Sequence, residues 1–437
     1  MNVLLIGSGG REHALAWALS RSARHPRLFA LPGNPGIIEL AERLAGDPSD
    51  AALVLRAVRE RAIDLVVVGP EAPLVAGLAD ALGDAGVRVF GPRAAAARLE
   101  GSKVFAKELM QRHRIPTAAF RVVDDPEAAL AWTERIAYPH VIKADGLAAG
   151  KGALIVRDSG EARAAIRQIM VDRAFGTAGA RVVFEEFLEG EEASVFAIAA
   201  GEHYRLLPAA QDYKRALDGD AGLNTGGMGS YAPLVGWNPV LERRVRREVI
   251  EPTLAALVRE GHPYTGLLYV GLMIRGEEAK VVEFNCRFGD PETQAVVPIL
   301  RGDLLEALWA ATDPQVATRG LPDLGHDGRS AACVVAAAGG YPGAVRKGDE
   351  ITGLEDATRG GDVLVFQAGT ERREGRLVTA GGRVLGVVGT GADLPAALEQ
   401  AYQAIGRIRF AGAFWRRDIA WRGLRAPGRH TPQSSGA

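Results

Sequence analysis

Four short apolar stretches open this chain, each closed by a glycine- or proline-rich loop, and that rhythm leaves few folds open. Residues 3–6 run into Gly7-Ser8-Gly9-Gly10, and a helix begins over 11–19. A second stretch, 28–31, ends in Pro32-Gly33-Asn34-Pro35-Gly36. A third, Leu65–Val68, ends in Gly69-Pro70-Glu71-Ala72-Pro73, and a fourth, 87–90, in Gly91-Pro92. Short apolar strands separated by helical stretches imply a parallel, doubly wound α/β sheet. Ligands of such sheets bind beyond the carboxyl ends of the strands, where these loops lie. With 437 residues the chain has room for about three domains of ~150 residues each.

The first loop invites a dinucleotide reading and does not satisfy it. A G-x-G-x-x-G turn needs a third glycine, and Glu12 stands there. The second strand ends in Leu31-Pro32, with no acid to hold a ribose. Gly9 and Gly10 can still offer bare amides to an anion at a helix start, reinforced by Arg11 and opposed by Glu12 unless that side chain faces elsewhere. A plain strand-to-helix turn is the alternative.

The stretch VVEFNCRFGDPE, residues 281–292, carries the most chemistry. Glu283, Asn285 and Arg287 follow at alternate positions, so on a strand they share one face. Two hard oxygen ligands suit Mg²⁺, which usually completes its shell with substrate phosphates. Arg287 beside them can neutralise a transferring phosphoryl group. Cys286 points the other way and reads as packing. The alternative is an edge strand with a solvated polar face.

Further segments point to phosphate. A strand at 140–143 ends in Lys143 and leads through Ala144-Asp145-Gly146-Leu147-Ala148-Ala149-Gly150-Lys151-Gly152 into the strand Ala153–Val156. This is not a Walker loop, because Gly152 stands where Ser or Thr is required. Small residues let the backbone close over phosphates, and Lys143 and Lys151 supply charge. An apolar strand over 182–184 then enters Glu185-Glu186-Phe187-Leu188, an open linker whose backbone can read an adenine edge, with an acid one turn later able to take ribose hydroxyls. A solvated acidic connector is the alternative. The glycine-rich stretch 224–230 reads as a mobile loop able to order over a substrate, or as an ordinary surface loop.

Composition excludes several classes. The formal net charge is −1 and 24% of residues are charged, so there is no broad pull toward nucleic acid or anionic membrane. Two cysteines, Cys286 and Cys333, make neither a disulfide framework nor a zinc spacing. The N-terminus lacks a signal-peptide pattern, and no apolar run approaches the ~18 residues of a membrane helix. A reduced, cytoplasmic setting is expected.

Taken in order, these segments resemble the ATP-grasp superfamily. The wording is closer still to the glycinamide ribonucleotide synthetases, also called phosphoribosylamine–glycine ligases. GSGGREHALA, VGPEAPLVAGL, FGP, LEGSK, VIKADGLAAGKG, EEFLEGEEAS, QDYKR, NTGGMGSYAP, YTGLLYVGLM, VEFNCRFGDPETQ and AAGGYPG all read like that family, from Met1 to about Trp421. Ser8 departs from the Asn expected in many relatives.

The resemblance implies an ATP-grasp fold with an N-terminal doubly wound parallel-sheet pre-grasp domain over 1–102 and a C-terminal α+β domain over 330–422. Between them it implies a central domain over 103–118 and 190–329, with a lid over 119–189. Residues 423–437 are expected as a disordered tail. It implies that ATP, with Mg²⁺ or Mn²⁺ on Glu283 and Asn285, activates glycine as glycyl phosphate for attack by 5-phospho-β-D-ribosylamine. The products are N1-(5-phospho-β-D-ribosyl)glycinamide, ADP and phosphate, the second step of de novo purine synthesis. ATP contacts are expected from Lys103, Lys143, Gly146, Gly150, Lys151, Gly152, Glu185, Glu186, Phe187, Leu188 and Glu191. Substrate contacts are expected from Gly9, Gly10, Arg11, Glu71, Asp212, Arg287 and Asp290. Arg287, Lys143 and Lys214 are expected to serve catalysis. The partners are the two small substrates, with no nucleic acid and no membrane, and the enzyme is expected as a monomer. Many ATP-grasp enzymes carry a further acid on the preceding strand. Here 267–274 reads LLYVGLMI, so a second metal would need Glu283 to bridge or a ligand from elsewhere.

Overall fold

A computed structural model describes residues 1–148 and 152–425. Gly150, Lys151 and the tail from 426 onward lie outside the described residues. The first region is the parallel sheet its apolar rhythm predicts, in spatial order Glu42–Arg43, Arg27–Pro32, Asn2–Gly7, Leu65–Val68, Arg88–Phe90. Alternation within the strands splits the core in two. Leu4, Ile6, Val66 and Val68 pack on one face, and Val3, Leu5, Leu65 and Val67 on the other. Both faces are covered by helices, which explains why these strands read as unbroken apolar runs.

The central sheet is antiparallel, in the order His203–Leu206, Glu191–Ala200, Thr265–Arg275, Glu278–Asn285. Val270 and Leu272 join the same core as Leu4, while Leu267 and Tyr269 join that of Leu5. The two sheets therefore share continuous packing and present one working edge.

Residues 120–186 form a smaller antiparallel sheet in the order Phe120–Val123, Val182–Glu186, His140–Ala144, Ala153–Val156. It has its own small core, with Ile142, Val156, Ile166, Ile169 and Phe184 at its centre.

The C-terminal sheet draws on more of the chain than expected. Its order is Gln211–Asp212, Gly229–Ala232, Ser330–Ala337, Arg383–Gly391, Val363–Gln367. Two of its strands come from the middle of the sequence. The glycine-rich stretch at 224–230 is thus not a free loop. Thr225 and Met228 are buried, and Gly229 and Ser230 begin a strand. Gly229 is required there, since a Cβ would stand 2.6 Å from the Cys333 carbonyl oxygen.

Candidate active site

All four regions meet at a cavity of about 850 Å³. Its floor is the end of the strand Glu278–Asn285. Glu283 and Asn285 both reach it, and so does Arg287, although the strand ends at Asn285 and Arg287 sits beyond it on a bend. Gly271 lies opposite Glu283 on the neighbouring strand, and a Cβ there would come within 3.3 Å of the Glu283 side chain. That strand carries no acid; its contribution is room for Glu283.

Arg287 is not the free cation that alternation suggested. Its guanidinium lies 3.2 Å from Glu71 and 3.2 Å from Glu100, and Glu100 also accepts the Cys286 amide at 2.8 Å. Burial alone would lower the Arg287 pKa, but Glu100 and Glu71 raise it. Burial pushes the Glu100 pKa up despite Arg287. Arg287 therefore joins the strand end to the N-terminal region.

Lys103, Lys143 and Lys214 all line the cavity, and most of their charge is paired within the protein. Lys143 Nζ lies 3.0 Å from Glu185 and donates to the Val282 carbonyl at 3.0 Å. Lys107, which the sequence reading passed over, lies 2.9 Å from the same Glu185 oxygen and donates to Thr117 at 2.7 Å. The signal was present: Lys103 and Lys107 are four apart on one helix and share a face. Burial lowers the Lys107 pKa to about 8 against the pull of Glu185. Glu185 is thus a charge bridge at the back of the cavity, and its second oxygen is buried without a partner. Lys103 donates to the Gly146 carbonyl at 2.9 Å, tying the helix to the loop after His140–Ala144. Asp145 accepts from Ser102 Oγ at 2.9 Å and the Val104 amide at 3.1 Å. Gly146, Gly152, Glu186, Phe187 and Leu188 all line the cavity.

Of the expected ATP contacts on the next strand, the structure places one away from the cavity. Glu191 opens its strand exposed and off the cavity, and Glu192 lines the cavity in its place. Glu192 pairs with Lys214 at 2.6 Å. Burial would lower the Lys214 pKa, but Asp212, Glu192 and Glu283 hold it well above normal. The short strand Gln211–Asp212 turns Asp212 toward the cavity. Burial pushes Asp212 up to about 8; Lys214 pulls it down, while Glu292, Glu192 and Glu283 add to the rise. Glu292, also unanticipated, is buried and accepts from Tyr269 Oη at 2.6 Å.

The N-terminal loop departs from the anion cradle. The Gly9 amide is taken by Glu12 Oε2 at 2.6 Å, and Arg11 also pairs with Glu12. The Glu12 carboxylate turns back under the strand ends, where a Cβ on Gly69 would stand 2.1 Å from it. The residue at the third-glycine position thus fills the turn itself. Gly10 packs on Gln294, where a Cβ would lie 2.8 Å from Nε2. Of Gly9, Gly10 and Arg11, Arg11 alone lines the cavity. Beside it, Asp290 accepts from Gln294 at 2.7 Å and pairs with Arg383 at 2.9 Å. Arg383, from the C-terminal sheet, also donates to the Asp290 carbonyl at 2.7 Å. Burial would raise the Asp290 pKa, but Arg383 and Arg11 bring it down.

Glu283 and Asn285 fit a metal whose other ligands are phosphates. Among the described residues no group of three or more His, Cys, Asp or Glu side chains is arranged as a metal cage. Burial would raise the Glu283 pKa, but Lys214, Lys143, Lys103 and Arg287 hold it down. A charged hard oxygen facing the cavity, with cations around it, matches a Mg²⁺–polyphosphate site.

Family models for the phosphoribosylglycinamide synthetase N domain, ATP-grasp (A) domain and C domain match residues 1–100, 101–293 and 331–422. The phosphoribosylamine–glycine ligase of Phenylobacterium zucineum is 50% identical over 97% of this chain and 100% of its own. That of Pseudomonas aeruginosa is 48% identical over 97% of this chain and 98% of its own. The crystal structure of the Thermotoga maritima phosphoribosylamine–glycine ligase superposes with a TM-score of 0.83 at 36% identity, covering 96% of this chain and 100% of that one. A biotin carboxylase domain from Hydrogenobacter thermophilus, at 15% identity and TM-score 0.70, shares the fold alone.

Proposed function

The chain belongs to the phosphoribosylglycinamide synthetase family, and from that premise we propose how its residues carry the reaction. It is an ATP-dependent ligase that joins glycine to 5-phospho-β-D-ribosylamine in purine biosynthesis. A carboxylate does not react with an amine at neutral pH, because its oxygen is a poor leaving group. Transfer of the ATP γ-phosphoryl group to glycine makes glycyl phosphate, whose leaving group is phosphate, and attack by the amine yields N1-(5-phospho-β-D-ribosyl)glycinamide. Such a transfer asks for positioning and charge rather than a protein nucleophile.

Lys103, Lys143 and Lys214 meet the phosphates. The backbone around Gly146 and Gly152 closes over them, and the segment Glu186-Phe187-Leu188 takes the adenine. Glu283 and Asn285 would hold Mg²⁺ or Mn²⁺, which would supply positive charge to the ATP phosphates. Arg287, fixed by Glu71 and Glu100, keeps a positive charge next to the acyl centre. Arg11 and Asp290 face the ribosylamine. Residues 119–189 act as a lid that keeps water from the acyl phosphate. The enzyme is read as a cytoplasmic monomer meeting neither nucleic acid nor membrane; no described helix is long and apolar enough to cross one.

The observation that carries the assignment is the single cavity joining the lysine cluster and Glu283 to Arg11 and Asp290. ADP release is expected to need ATP, glycine and an amine that consumes the acyl phosphate, with phosphoribosylamine the substrate amine. Equal turnover with alanine or with bicarbonate would overturn it.

A further inference from the structure

We propose that Asp212 is the general base of amide formation, taking the proton that the phosphoribosylamine nitrogen sheds as it displaces phosphate. This rests on the function proposed above and adds a residue to it. The nitrogen lone pair forms the C–N bond to the glycyl carbonyl carbon. The carbonyl–oxygen bond to the phosphoryl group breaks, and phosphate leaves with that electron pair. One N–H proton passes to an Asp212 oxygen. A lid that excludes water from glycyl phosphate also removes water as the proton acceptor, which leaves the departing phosphate and the side chains of the cavity, and the variants below separate the two.

The other cavity carboxylates are engaged. Glu71 and Glu100 hold Arg287, Glu185 bridges two lysines, Asp290 holds Arg383, and Glu292 accepts from Tyr269. Glu192 is paired with Lys214. Glu186 and Glu189, also on the cavity, pair with Lys280 and Arg275. Among the described residues, Glu283 and Asp212 are left lining the cavity with neither a hydrogen bond nor an ion pair to their carboxylates. Their surroundings are opposite. Glu283 faces Lys214, Lys143, Lys103 and Arg287, which keep it charged for a metal. Asp212 faces one cation, Lys214, and three carboxylates, Glu292, Glu192 and Glu283. Burial favours the neutral form of both groups; the cations around Glu283 override it, whereas Lys214 alone opposes it at Asp212. A base whose proton affinity lies near the working pH is the efficient one.

Asp212 is also held still. Its backbone pairs with Ser230, whose hydroxyl donates to the Pro291 carbonyl at 2.9 Å. Its neighbour Gln211 turns the other way and donates to the Glu192 carbonyl at 2.8 Å. The strand that carries Asp212 is thus tied to the Asp290-Pro291 turn through Ser230 and to Glu192 through Gln211.

The experiment compares Asp212→Asn with wild type in two reactions of ATP and glycine. With hydroxylamine, glycyl phosphate is trapped as the hydroxamate, a reaction that needs little help from a base. With phosphoribosylamine, the amide forms. In Asp212→Asn amide formation should fall about 100-fold or more, with hydroxamate formation within about two-fold of wild type. Asp212→Glu, which keeps a carboxylate, should recover part of the loss. A parallel fall in both reactions means that Asp212 serves glycine or phosphoryl transfer, and overturns the proposal; so does an unchanged rate of amide formation. If Asp212→Asn does not melt as a folded protein, Asp212→Glu decides. Its acid limb for amide formation should move while that for the hydroxamate stays, and an unmoved limb overturns the proposal. Wild-type enzyme that makes neither product from glycine would instead refute the ligase reading itself.

Discussion

Lys107 and Lys143 share one buried carboxylate, and a buried charge cluster of this kind is sensitive to loss of any member. Removing one partner leaves charge short of compensation in a poorly solvated place. Lys107→Met is expected to cost of order 2 kcal/mol, less than a complete orphaning because Lys143 remains on Glu185. Urea unfolding measures it, and an unchanged midpoint would mean that the pair contributes nothing. Glu283→Gln tests the opposite kind of carboxylate, one held charged for a ligand. Turnover should fall about 100-fold or more while nucleotide affinity without metal stays put. Unchanged turnover at low Mg²⁺ removes Glu283 from the ligand set. At this scale the sequence was readable where chemistry is local. Glu283, Asn285 and Lys143 announce themselves by alternation and by glycine context. Glu12 did not, because its direction depends on space left by Gly69 on another strand. Arg383 did not, because its partner Asp290 is 93 residues away. Which of Glu191 and Glu192 faces the cavity was not legible, because it depends on where the strand begins.

The proposed lid, residues 119–189, has a small core of its own. Its strands bury their apolar residues against one another, and its ties to the central domain include Asp145 on the helix Lys103–Arg112 and Lys143 on Val282. Nucleotide should add contacts that the lid cannot make by itself. Amides of His140–Ala144 and Ala153–Val156 are expected to slow in hydrogen exchange with a non-hydrolysable ATP analogue and Mg²⁺, while those of Asn2–Gly7 barely change. Full protection of the lid strands without nucleotide would remove the lid model. The strands Leu65–Val68 and Ala153–Val156 were legible to the residue, since apolar runs between glycines need no tertiary information. The stretch at 224–230 was legible only in part: Asn224, Thr225 and Gly226 line the cavity, whereas Gly229 and Ser230 belong to a strand. Its glycines look like a loop, yet Gly229 is there to let a neighbouring strand approach.

Across the whole molecule, the first and last regions are joined through His13. Its Nδ1 accepts the Gln367 amide at 2.8 Å, and its ring packs edge-on against Phe366 at 5.4 Å. Burial lowers the His13 pKa from 6.5 to about 4. The folded state therefore binds fewer protons than the unfolded state between those values. This contribution is fully present above pH 6.5 and is lost as pH falls toward 4, reaching about 3 kcal/mol there. Thermal melts across that window should show the decline, and His13→Asn should flatten it. A slope identical in the variant would assign the acid sensitivity elsewhere.

The shared C-terminal sheet also sets a timetable during synthesis. Gly229–Ala232 leaves the ribosome 98 residues before its partner strand Ser330–Ala337 begins. At about 5–20 residues per second that is a wait of roughly 5–20 s. Until then the edge holding Tyr231, buried in the finished enzyme, has no strand to receive it. An unpaired apolar edge is a template for the wrong chain. A translational pause between residues 232 and 330 should therefore lower the yield of folded enzyme, whereas the same pause after residue 391 should not.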